Sequence, residues 1–215
     1  MWFWSSLKEE DVKEIKFYVL YLMFLNVIFY FTPFNDYEGF FLSPAHPFEI
    51  WRYITSLFIH YGLGHLISNM FALLIFGTIL EGIIGSRNFL IVYFLSGIAG
   101  GIFFNLLTPP DVVGAGASGA ISGIIGALTV LRPKLVLYYY VPMPLILLSA
   151  FYLFQDLYGL FYPTDSIGYA AHIGGFLAGA LWGLLNRHRF KEYYEVKKEV
   201  LLKDEDIDEW EKTYM

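Results

Sequence analysis

The sequence predicts an all-α membrane protein: six transmembrane helices in one bundle, with an interfacial loop between the first and second. Three observations predict it. The 215 residues are 57% hydrophobic and 20% aromatic but only 16% charged, a more apolar and less charged chain than a soluble domain. The apolar residues gather into stretches near the length that crosses a hydrocarbon layer, separated by glycines, prolines and charges. The basic residues also alternate: if six spans are threaded in order, Lys8, Lys13, Lys16, Arg87, Arg132, Lys134, Arg187, Arg189 and Lys191 fall on one side and Arg52 alone on the other. The positive-inside rule then places both termini in the cytosol and makes the chain a multi-pass protein of the cell membrane.

Residues 1–16 mix Trp2, Phe3 and Trp4 with lysines and acids, the pattern of a short cytosolic amphipathic lead at the membrane surface. Residues 17–186 form the membrane core. Its first span covers 17–31, extendable to about 34, close to the minimum length. Residues 35–60 are too polar to span and too aromatic for a solvated loop, so they are expected to lie in the interface. Span two covers 62–80 and ends at Glu81-Gly82; span three covers about 89–107 and stops at Thr108-Pro109-Pro110. Span four, 118–131, is short, which places its outer end below the membrane surface. Span five is expected over 135 to about 154 with Pro142 and Pro144 inside it, and Gln155 and Asp156 at its far end. Span six covers about 168–185, and residues 187–215 read as a charged cytosolic tail.

Composition excludes several chemistries. With no cysteine, disulfides, thiol catalysis and cysteine-ligated metal or iron–sulfur sites are ruled out. There is no H-E-x-x-H motif and no intramembrane carboxylate ligand, so no metal is expected. The net charge is −6; without a basic patch, no nucleic-acid partner is expected.

The candidate chemistry centres on residues 113–123, Val-Gly-Ala-Gly-Ala-Ser-Gly-Ala-Ile-Ser-Gly, where four glycines and three alanines surround Ser118 at the head of span four. Such spacing is ordinary for close helix packing. Depth adds to it: His65 and Asn69 lie near the outer start of span two, and His172 just inside span six. All four groups fall in one layer, on three helices running the same way. Intramembrane polar groups must face protein or water. His172, Gly175 and Gly179 share a face of span six, a smooth groove against which Gly119 and Gly123 would pack, bringing His172 to the Ser118 hydroxyl. A neutral imidazole suits the base that a serine nucleophile requires, and Asn69, His65 and backbone N–H groups suit an oxyanion. Asp111, Asp156 and Asp165 read as loop or span-end residues, so the expectation is a Ser–His dyad with slow turnover, since the third member of a triad is worth up to about 10⁴ in rate. A channel or transporter lined by His60, His65, His172 and Asn69 is the rival from another class.

These residues resemble a family. Gly116-Ala117-Ser118-Gly119 resembles the G-x-S-G element of rhomboid intramembrane serine proteases; His60, His65 and Asn69 look like their H-x-x-x-x-H-x-x-x-N pattern; and Ala171-His172 with Gly175 and Gly179 resembles their A-H-x-x-G-x-x-x-G. Trp51-Arg52, and Glu81 through Arg87, also look like family features. The resemblance implies a six-helix rhomboid-like core with Ser118 as nucleophile and His172 as base. It further implies an oxyanion hole from Asn69, His65 and the Ser118 amide, with Gly116 and Gly119 in the same oxyanion and substrate-binding group and Trp51, Arg52, Glu81, Arg87, Gly175 and Gly179 in structural support. No cofactor is implied; the partners are membrane-protein substrates in the lipid bilayer, with span five the candidate for the element beside which they arrive. A rhomboid-like protein that only binds membrane helices is the second rival. Many members carry an aromatic four residues after the nucleophile that stacks on the histidine. Here that position is Ser122, which leaves the partner that fixes His172 unassigned.

Overall fold

The computed structural model describes residues 16–138, 142–162, 168–190 and 212. The lead expected over 1–16 and the tail over 187–215 lie almost wholly outside these residues, as does Asp165. Among the described residues the chain is mostly helical, and helices stand on all six apolar stretches. They are α1 (Tyr18–Tyr30), the one-turn α2 (Arg52–Thr55), α3 (Leu63–Ala72), α4 (Thr78–Ile84), α5 (Ser86–Leu107), α6 (Ser118–Leu131), α7 (Leu145–Phe161) and α8 (Tyr169–Asn186). A π-helical turn, Leu73–Gly77, joins α3 to α4 in one run, Leu63–Ile84. That run and α5, at 22 residues each, extend roughly 33 Å at the α-helical rise and match a hydrocarbon layer. These two are long and apolar enough to cross a membrane; α1, α6 and α7 are apolar but shorter.

The fifth stretch differs from its expectation. Residues 136–144 are not helical: β1 (Val136–Tyr138) pairs antiparallel with β2 (Pro142–Pro144), Val136 opposite Pro144. Proline disfavours helix in the residue before it and lacks the N–H an internal helical position must donate. A two-stranded ribbon has only edge strands, where proline is tolerated. The Leu145 amide donates to Leu135 O at 2.7 Å, and α7 starts after Pro144 and runs to Phe161. Asp156 therefore lies inside the helix, not at its end.

α6 is the central element, packed against α5 and α8. Glycines in a helix interior cost about 1 kcal/mol each relative to alanine, so Gly119, Gly123 and Gly126 are retained here for contact. A Cβ on Gly175 would overlap the Gly119 carbonyl, one on Gly179 the Gly123 carbonyl, and one on Gly126 the Phe176 carbonyl. The two helices meet backbone to backbone along three turns. Ala120, Ile124, Ala127 and Leu128 on α6 are fully buried, with Phe89, Val92 and Tyr93 of α5 in the same core.

Buried polar groups organise the edges. Glu81, 2% exposed, accepts the Tyr18 and Val19 amides at 2.9 and 3.2 Å and the Ser86 hydroxyl, satisfying orphan donors at the start of α1. Arg87 stands exposed on the first turn of α5. In the segment between α1 and α3, the buried Arg52 guanidinium donates to Glu38 O and Phe41 O at 2.7 and 2.8 Å and to the Glu49 carboxylate at 2.6 Å. Trp51 Nε1 donates to Gly39 O at 3.1 Å, while Phe48 and Ile50 are exposed. This segment is short helical turns and irregular backbone held by side chains.

His60 ends that segment fully buried. Its backbone is clamped by Asn35, which accepts the His60 amide and donates to its carbonyl, both at 2.9 Å. Neither ring nitrogen has a partner among the described residues, and burial first, then the nearby His65, lowers its pKa to about 4. An opened segment with an ordinary histidine near 6.5 binds more protons than the folded one between those values. Folding stability is thus full above about pH 6.5 and falls on acidification toward 4, by about 3 kcal/mol for this group. Melting curves in detergent from pH 7 to 4 are expected to show that loss, and His60→Phe to flatten it. An unchanged pH slope in the variant would remove His60 from the account.

Candidate active site

The first-turn amides of a helix have no intrahelical acceptor, and at α6 the i to i−4 ladder begins only with Ile121 N to Ala117 O at 3.0 Å. Ser118 is the first residue of that helix. The loop that delivers it is pinned from the interfacial segment: Leu42 and Gly114 exchange amide-to-carbonyl bonds at 2.8 and 2.9 Å, Gly116 N donates to Ser56 O at 2.8 Å, and Tyr61 Oη to Val113 O at 2.7 Å. Gly116 has φ 118°, a region that L side chains avoid, and a Cβ there would strike the His65 ring at 2.7 Å. Glycine is required twice over. Gly119 continues the first turn against the Ala171 carbonyl.

α8 brings His172 to the same point. Its Nε2 lies 2.9 Å from Ser118 Oγ, a hydrogen bond between the heads of two helices that the Gly119–Gly175 contact holds together. The second ring nitrogen corrects the expectation that no carboxylate stands at this depth: Nδ1 lies 2.9 Å from Asp156 Oδ1 of α7. Both side chains are under one-fifth exposed. Displacing the start of α7 to residue 145 is what moves Asp156 from a span end to the level of His172. Asp111 is exposed in the loop before α6.

Asn69, 5% exposed, uses one Nδ2 hydrogen on the His65 carbonyl at 2.8 Å. Its second N–H has no partner among the described residues. His65 stacks on Tyr61 and meets His60 edge-on at 5.1 Å. Ser118, Asn69, His172 and Asp156 line one cavity of about 550 Å³, which runs on between α6 and α7 past Ser122 to Ser149. Where α7 crosses α6, Thr129 Oγ1 and Ser149 Oγ are 2.6 Å apart. Trp51, Arg52, Glu81 and Arg87 do not reach this cavity; the first two organise the interfacial segment and Glu81 the start of α1. Among the described residues no cluster of three metal-ligating side chains occurs.

A helical bundle that seats a hydrogen-bonded serine and histidine at the heads of two tightly apposed apolar helices is the class these observations define. Residues 47–189 match the Rhomboid domain. The chain belongs to the rhomboid family, whose members are embedded in membranes. It is 31% identical over 159 residues to RHOMBOID-like protein 12, mitochondrial, of Arabidopsis thaliana, covering 64% of this chain and 47% of that protein. Over 133 residues it is 34% identical to Rhomboid protease GluP of Bacillus subtilis, 61% of this chain and 25% of GluP. Over 139 residues it is 37% identical to Rhomboid protein 1, mitochondrial, of Saccharomyces cerevisiae, 60% of this chain and 40% of that protein. The matched regions thus span from a quarter to about half the length of these relatives.

Proposed function

We propose that the chain is a rhomboid-type intramembrane serine endopeptidase that cleaves transmembrane segments of membrane proteins near the outer face of the bilayer. The observation that carries this reading is the 2.9 Å separation of Ser118 Oγ and His172 Nε2, within the range for direct proton transfer. Six spans with both termini in the cytosol of a cell-membrane protein follow from the alternation of basic residues, and they put the heads of α3, α6 and α8 on the outer side. Family membership and protease-named relatives support the activity.

Chemically, His172 Nε2 takes the Ser118 proton as Oγ attacks the scissile carbonyl carbon. The carbonyl oxygen becomes an oxyanion beside Asn69 Nδ2, His65 and the Ser118 N–H. Collapse breaks the C–N bond, and His172 returns its proton to the leaving amine. Water then hydrolyses the Ser118 ester, with His172 again the base. This chemistry uses neither cofactor nor metal. A substrate helix must unwind to present its carbonyls, which favours small or helix-breaking residues at the cut.

The test is incubation of purified protein in detergent with a single-span substrate, beside Ser118→Ala and His172→Ala. Product lost in both folded variants supports the reading; cleavage surviving in Ser118→Ala overturns it. Asn69→Ala is expected to lower kcat by about 10² to 10³ with little change in KM, because its free N–H is needed only once charge develops on oxygen. A rise in KM alone would make Asn69 a ground-state binding group.

A further inference from the structure

The Asp156–His172 contact joins the site to α7, a cavity wall that carries neither proposed reacting group. We propose that Asp156 is a positioning residue that sets the tautomer and ring orientation of the proposed base, an inference that rests on reading Ser118 and His172 as nucleophile and base.

A carboxylate accepts hydrogen bonds and does not donate them, so Asp156 Oδ1 at 2.9 Å assigns the neutral ring's single proton to Nδ1. The Nε2 lone pair is then directed at Ser118 Oγ, 2.9 Å away, and receives the hydroxyl proton. With the other tautomer Nε2 would carry its own proton and the transfer would be blocked. Ser122, four residues after Ser118, offers no aromatic face to hold the ring, and the Asp156 hydrogen bond does that work from the opposite helix. The placement has a second consequence. α7 touches α6 through the Thr129–Ser149 pair and α8 through this contact and the seat of Gly159 on the Tyr169 ring, while Phe151, Phe154, Tyr158 and Phe161 on α7 are exposed. The base is therefore oriented only while α7 stands against α8.

Two readouts separate orientation from mere helix docking. The first uses an alkyl fluorophosphonate, which needs no substrate helix. Ser118 Oγ bonds to phosphorus, the P–F bond breaks with fluoride leaving, and the hydroxyl proton passes to His172 Nε2. Asp156→Asn is expected to slow this labelling and kcat for a single-span substrate together, by about 10²-fold against the roughly 10⁴ of a fully enclosed triad, with KM within about twofold. Asp156→Glu is expected to recover part of the rate. The second readout is the ¹⁵N spectrum of His172 in the unsubstituted protein, expected to show a protonated Nδ1 and an unprotonated Nε2. Labelling within about threefold of normal in Asp156→Asn, or a proton on Nε2, would overturn the proposal, and the spectrum decides if the variant does not fold. Persistent cleavage by Ser118→Ala would instead remove the reading beneath it.

Discussion

The double variant Ser118→Ala, His172→Ala is expected to cleave no more slowly than either single variant, with each single variant down by roughly 10⁴ or more. A fall of 10⁴ corresponds to about 5.5 kcal/mol of transition-state stabilisation. On the proposed reading the two side chains perform one step: Oγ is a weak nucleophile until Nε2, 2.9 Å away, removes its proton, and the imidazole has no proton to remove once the hydroxyl is gone. Losing either therefore loses the whole effect, and the second substitution finds nothing left to remove. Asn69 is expected to behave differently, because the proposed reading has its N–H act on the oxyanion. Kinetics of the two singles and the double on one single-span substrate, with melting curves as the folding control, measure the coupling. Additive losses would mean that the residues act in separate steps and that the hydrogen bond is structural.

What the sequence made legible follows from how each feature is encoded. The proximity of Ser118, His172 and Asn69, which line one cavity, was legible because glycines, prolines and charges mark the helix ends, and because the Gly119–Gly175 and Gly123–Gly179 contacts leave a spacing in each helix; His65, expected with them, is not in that lining. Asp156 was not readable, because its level depends on where α7 begins. Pro142 and Pro144, compatible with a kinked membrane helix, instead close a β-ribbon, and the helix starts at Leu145 rather than at 135, where the hydropathy does. The pinning of the loop before Ser118 was equally hidden: Leu42 and Gly114 are joined through backbone atoms alone, and a backbone bridge between distant segments writes no residue type into either. Glu81 shows the intermediate case. In the sequence it only closes an apolar run at Glu81-Gly82; its burial and its partners Tyr18 and Val19 are visible in three dimensions.

Gly175→Val and Gly179→Val are expected to cost more folding free energy than any active-site substitution, beyond the roughly 3 kcal/mol usual for overpacking. Each new Cβ would overlap a backbone carbonyl of α6, Gly119 in one case and Gly123 in the other. A flexible side chain yields to such a clash by turning, but a carbonyl inside a helix is fixed by its own hydrogen bond, so α8 must move away bodily. Moving α8 opens the contact that sets Ser118 against His172, and activity is lost with stability. Gly64→Ala is the matched control, since a Cβ there meets nothing within 4 Å. On helix propensity alone it is expected to gain up to about 1 kcal/mol. Melting temperatures of the three variants in one detergent, read with fluorophosphonate labelling of Ser118, distinguish the cases. A Gly175→Val protein that melts and labels normally would show that backbone contact between α6 and α8 is not what assembles the pair.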